Sequence, residues 1–179
     1  MKILSKIELL LIGLWLGAAV FFSLAVAPSV FSVLPSRELA GFVVNRTLTI
    51  VNISGAAIGV ILLFLSFIPR GEAKAIWVWL QRILLVLVIA ACGAGQAIIG
   101  FYLDQIRAMS GSPISELAAD NPIKLQFDMW HQYSVWVLIG GMVAATLAFF
   151  IISRNYSGST ASAKKDDPLN FDLPPELKL

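Results

Sequence analysis

The chain has one cysteine and one histidine in 179 residues, and only 13% of its residues are charged. The lone Cys92 excludes an internal disulfide and any zinc site built from cysteines. It stands inside an apolar run, where a thiol packs as a small hydrophobe. The lone His131 excludes a haem held by two histidines of one chain. A net charge of +2, scattered along the sequence, excludes a nucleic-acid-binding surface. A soluble domain carries about 25% charged residues, so this chain is not built to be solvated by water alone.

What the sequence does hold is hydrophobicity: 58% of residues are apolar and the mean hydropathy is +0.84. Four runs, about Ile7–Ala27, Phe42–Ile68, Ala75–Leu103 and Met129–Ser153, reach the roughly 20 residues a membrane-spanning helix needs. The first resembles a signal peptide, but Pro28 would follow the cleavage site and the run exceeds the usual apolar core of about 7–15 residues. It is read as a helix that Pro28 ends, with Pro35-Ser36 starting the next. The expected fold is an all-α integral membrane protein, an antiparallel four-helix transmembrane bundle spanning residues 1–153.

Charge placement orients it. With the N-terminus cytoplasmic, nine of the thirteen lysines and arginines fall inside, and Arg37, Arg46, Arg107 and Lys124 fall outside. Both termini are therefore expected in the cytoplasm, the membrane being the plasma (inner) membrane. Trp77, Trp79, Tyr102, Trp130 and Trp136 stand where interfacial aromatics belong. Pro69-Arg70-Gly71 reads as a tight turn, Ser112-Pro113 as the start of a short loop helix, and Asn121-Pro122 as the start of the last helix. Residues 154–179, rich in Ser, Lys, Asp and Pro, read as a disordered cytoplasmic tail.

Polar residues inside the runs share one depth. Asn45, Thr49 and Asn52 fall on one face of the second helix, beside Arg46. Gln96 lies between Cys92 and Gly100 on the third, and His131 and Ser134 lie three apart on the fourth. Each stripe continues through Gly or Ala, as interior faces of membrane bundles do. The candidate site is therefore His131, Ser134, Asn52, Gln96, Thr49 and Arg46, in the outer half of the bundle. Gly13, Gly17, Gly100 and Gly141 are expected at close helix contacts. Such stripes also suit a second copy or another membrane protein. The lipid bilayer is the main partner, and nucleic acid is not one.

His131 admits several readings. A proton carrier suits an imidazole that titrates near neutral pH, whereas a hydrogen bond between helices, to Asn52 or Gln96, is the plain alternative. Amides and hydroxyls are poor ligands for transition metals, so no metal site and no cofactor are expected. Ser134, His131 and Asp128 lie on one helix and point the same way, which disfavours a hydrolytic triad and an enzyme in general. The reading is a multi-pass membrane protein whose polar cluster binds or passes a small solute or proton. The alternative is a haem- or metal-binding redox protein that uses His131 as a ligand with another subunit.

Two stretches carry a family resemblance. One is WLGAAVFFSLAVAPSVFSVLPSRELAG, with its early Trp-x-Gly, aromatic pair, Ala27-Pro28 and Phe31. The other is Phe127-x-x-x-His131-x-x-Ser134. Together, over about Leu10 to Phe150, they resemble the transmembrane-protein-205-like family, also called domain of unknown function 4149. The resemblance implies a small four-helix membrane protein. It leads one to expect an asparagine a turn after Ser134, where this chain has Leu138.

Overall fold

Lipid offers the backbone no hydrogen-bond partner, so an apolar run must satisfy its own N–H and C=O groups as a helix. The computed structural model describes the backbone of residues 2–68 and 75–165 and the side chains of 3–68 and 75–154. No strand occurs among the described residues. Helix α1 (Lys2–Phe21) passes through a π-helical segment, Phe22–Val26, into α2 (Ala27–Val33). Helix α3 spans Arg37–Leu65. Helix α4 (Ala75–Ala94) passes through a second π-helical segment, Gly95–Gly100, into α5 (Phe101–Ser110). A 3-10 turn, Ile114–Glu116, precedes α6 (Pro122–Lys165). The expected turn at Pro69-Arg70-Gly71 and the last residues of the expected tail, 166–179, lie outside the described residues.

Four continuous helical stretches are long and apolar enough to cross a membrane: Ile3–Val33, Arg37–Leu65, Ala75–Ser110 and Pro122–Arg154. Their outward faces carry exposed apolar side chains, Leu24, Val33 and Phe64 among them, each more than 70% exposed. Water would not tolerate so many, and lipid does. The chain is an integral membrane protein.

Local chemistry sets the helix ends. Ser36 Oγ accepts from the Glu38 and Leu39 amides at 3.2 and 3.4 Å, capping α3. Asn121 Oδ1 accepts from the Ile123 amide at 2.9 Å, and Pro122 takes the first helical position of α6. Gly111, at φ 64°, closes α5 in the left-handed region that glycine adopts without strain. Pro28 departs from expectation. It does not end the first helix but stands near the start of α2, immediately after the π segment. Proline lacks an N–H and crowds the carbonyl four residues back. That residue, Leu24, lies in the widened π turn, where the strict α ladder is already relaxed.

In the bundle, α1 and α4 each pack against both α3 and α6. The core joins Ile12, Trp15 and Ala19 to Val51, Val88, Cys92 and the small face Ala144, Ala145, Ala148. Trp15 is the polar exception: its Nε1 donates to the Val51 carbonyl at 2.9 Å. Trp15→Phe keeps the ring and removes that bond. We expect a loss of about 1 kcal/mol in a detergent unfolding titration, and an unchanged midpoint would show that the bond contributes nothing.

Candidate functional site

At the end of the bundle where α2, α3, α5 and α6 meet, the helices enclose a cavity of ≈ 680 Å³. Geometry explains why it opens there. Helix α1 packs on α6, but its continuation α2 leans on α3, and α5 leans on α6. The two π-helical segments join these pieces, α1 to α2 and α4 to α5. Such segments occur often at functional sites, and Gly95, Gln96 and Gly100 of the second one line the cavity.

Four polar side chains line its inner part: Asn52 from α3, Gln96 from the π segment, and His131 and Ser134 from α6. Three helical stretches of the sequence thus converge on one space. Asn52 is only 5% exposed. It reaches inward because residue 95 has no side chain; a Cβ there would stand 3.2 Å from Asn52 Nδ2. The His131 ring is exposed on the cavity wall and lies parallel to Phe127, ring centroids 6.3 Å apart. No hydrogen bond joins His131 to Asn52 or Gln96 among the described residues, so the expected interhelical bond is not made. The side chains of Asn52, Gln96, His131 and Ser134 have no protein hydrogen-bond partner among those residues. Polar groups at such depth ordinarily find one.

The remaining candidates lie elsewhere. Thr49 turns its hydroxyl onto the Asn45 carbonyl at 2.9 Å, and Arg46 is exposed; neither lines the cavity. Of the glycines, Gly141 faces Ala91 closely, a Cβ there lying 3.2 Å from the alanine methyl, and Gly13 meets the Phe149 ring at 3.4 Å. Gly100 abuts the Gly95 carbonyl, and a Cβ at Gly17 would meet nothing within 4 Å. The tightest approaches are at Gly55, against Trp15 and Cys92, and at Gly59, 2.7 Å from Ile89 Cγ1.

The outer rim of the cavity carries charge. Arg37, Arg107 and Lys124 line it with Glu38 and Asp128. Arg107 Nη1 donates to Asp104 Oδ1 at 2.9 Å, and its guanidinium lies 5.1 Å from the Phe127 ring centre and 5.9 Å from that of Phe42. Lys124 and Asp128 stand 4.0 Å apart. Among the described residues no three His, Cys, Asp or Glu side chains converge as a metal-ligand set.

Sequence reasoning did not single out Arg107 as a site residue, and it missed a second polar layer at the opposite end. There Arg82 donates to Ser66 Oγ and to the Ser66 carbonyl at 3.2 and 3.0 Å, capping the end of α3, and stacks 4.2 Å from the Phe67 ring centre. Gln81 and Glu8 are buried as well, Glu8 completely. The spacing Glu8, Ile12, Trp15, Ala19 places Glu8 on the interior stripe of α1, a signal the sequence contained.

A family model described as a domain of unknown function (DUF4149) matches residues 10–111, more than half of the chain. The match takes in the cavity-lining parts of α2 to α5 and stops before α6. No curated protein and no solved structure matches the chain.

Proposed function

The chain belongs to the DUF4149 family, and from that premise we propose that it is a membrane protein that binds, and passes, a small polar solute through the cavity between α3, α5 and α6. The observation that carries this is the set of four polar side chains, Asn52, Gln96, His131 and Ser134, that face one cavity without a protein partner. Polar groups in a membrane interior are costly to keep unpaired, and a solute that hydrogen-bonds to them removes that cost. The volume fits an organic molecule, since ligand sites run from about 300 to 1,000 Å³.

In this reading the spans are antiparallel, both termini are cytoplasmic, and the cavity opens on the outer side of the plasma (inner) membrane. The excess of lysine and arginine on the other side supports it. The narrower likeness to transmembrane-protein-205-like proteins rests on Ala27-Pro28, Phe31 and the His131/Ser134 pair. The membrane domain ends near Ser153, and the residues after it form a cytoplasmic tail. No catalytic step is assigned.

Cysteine scanning tests the proposal. In a Cys92→Ala background, Asn52→Cys, Gln96→Cys and His131→Cys should each react with a small, membrane-impermeant methanethiosulfonate added from outside. Leu24→Cys, on the lipid face, should not. Three unreactive cavity positions would remove the proposal, and reaction only from the cytoplasmic side would invert the orientation.

A further inference from the structure

The chemistry of the solute is legible in how the cavity is graded along its length. Its lining runs along α3 from Arg37 to Asn52, about 22 Å at the α-helical rise. A molecule that reaches both ends of it is elongated.

Charge lies only at the rim, where three cations face two carboxylates. Two of these cations are paired with exposed carboxylates, one of them the neighbouring Asp104. Lys124 and Asp128 are at the limit of pairing, and Asp104, the partner of Arg107, is 63% exposed; such exposed pairs contribute at most about 1 kcal/mol. Arg107 itself is only 23% exposed in its side chain. The Phe127 and Phe42 rings flank it, yet only Nη1 donates to a protein atom. Its Nε and Nη2 donors have no partner among the described residues. A guanidinium with free donors is suited to the two oxygens of a carboxylate or phosphate.

Beyond the rim the wall is mostly apolar, through Val44, Leu48 and Leu103, with Asn45 the one amide among them. It becomes polar again at Asn52, Gln96, His131 and Ser134, with no carboxylate or ammonium among them. Asn52 is more than nine-tenths buried, and its amide has no protein partner. The amides of Asn52 and Gln96 therefore ask for a neutral hydrogen-bonding group.

We propose that the cavity takes an elongated organic anion: a carboxylate or phosphate at Arg107, an apolar middle, and an uncharged hydrogen-bonding group at Asn52 and Gln96. This rests on the solute-binding reading above and specifies its ligand. The anion comes either from the aqueous side or from an anionic lipid that enters from the bilayer.

Protection of a cysteine from labelling tests it on the full chain with Ser134→Cys in the Cys92→Ala background. The protein is reconstituted in phosphatidylcholine, and labelling is followed with 12-hydroxydodecanoate, with dodecanoate, or with 1,12-dodecanediol. The hydroxy acid should slow labelling at the lowest concentration. Dodecanoate lacks the far hydroxyl and the diol lacks the charge, so each should need at least about tenfold more, as the loss of one charged or well-placed hydrogen bond implies. Arg107→Gln should erase the advantage of the hydroxy acid over the diol, and Arg107→Lys should restore only part of it. If either variant fails to elute as a monodisperse species, the three-ligand comparison on the native arginine still decides. Reconstitution in phosphatidylglycerol separates the sources, since protection there without added ligand identifies the lipid as the anion. Labelling that no anion slows, in either lipid, or that the diol slows equally, overturns the anion assignment. Absence of labelling without ligand overturns instead the accessible cavity on which it rests.

Discussion

Replacing Gly55 with leucine should leave no folded protein under conditions in which the native chain is monodisperse in detergent. A Cβ at this position would overlap the Trp15 indole and lie 2.7 Å from Cys92 Sγ. Trp15 and Cys92 are 4% and 3% exposed and belong to one core with Val51, so neither has room to retreat. Displacing the indole also breaks its bond to the Val51 carbonyl, only four residues from the substitution. Overpacking alone costs about 1–3 kcal/mol, and more where several neighbours must move; the lost bond adds about 1 kcal/mol. Gly55→Ala should fall between, because one methyl already enters the forbidden distance. Gly17→Ala is the control. Its Cβ would meet nothing within 4 Å, and alanine favours a helix over glycine by about 1 kcal/mol, so this variant should unfold no earlier than the native chain. Equal unfolding midpoints for Gly55→Leu and Gly17→Ala would refute the packing described at the α1–α3–α4 contact.

The glycines show what the sequence could and could not reveal. Spacing alone marked Gly13 and Gly17, because a small residue every four positions suits helix contact. Which glycine is in contact depends on the neighbour's side chain, and the large Trp15 lies opposite Gly55, a fact that resides in tertiary structure. The α3 face shows the same limit at finer scale. Asn45, Thr49 and Asn52 share an i, i+4, i+7 stripe, and of the three Asn45 and Asn52 join Val44 and Leu48 in lining the cavity. Thr49 stands one position aside, where a short hydroxyl satisfies itself on its own helix. Helix caps were legible because they are local, as at Ser36 and Asn121. Helix rise puts Asn52, Gln96 and His131 at similar depth in the sequence reading, and the three line one cavity. The π-helical segments were not read from the sequence; the first ends two residues before Pro28, and Gly95, Gln96 and Gly100 of the second line the cavity.

Glu8→Ala should produce the second large loss, at the opposite end from the cavity. Glu8 has no exposed surface, and it stands on the interior stripe of α1 with Ile12, Trp15 and Ala19. The carboxyl is engaged rather than free, in a layer that also buries Gln81 and Ser66. Removing a buried polar side chain leaves the group that it meets desolvated, at a cost of about 1–3 kcal/mol. Alanine adds the void of the missing side chain. Glu8→Gln keeps the shape and a hydrogen-bonding group, so it should lose less than half as much. The two layers should also be separable. Glu8 lies seven residues, about 10 Å, before Trp15 on α1, while the cavity lies beyond it. At a temperature where Glu8→Ala is still folded, the labelling rate of a cysteine at position 52 should therefore stay within about twofold of its value with Glu8 in place, a change of less than ~0.5 kcal/mol. A Glu8→Ala protein that unfolds with the native midpoint would remove the structural role. A folded variant whose cavity labelling changes by an order of magnitude would instead make Glu8 part of the path that the solute, or a proton moving with it, follows through the bundle.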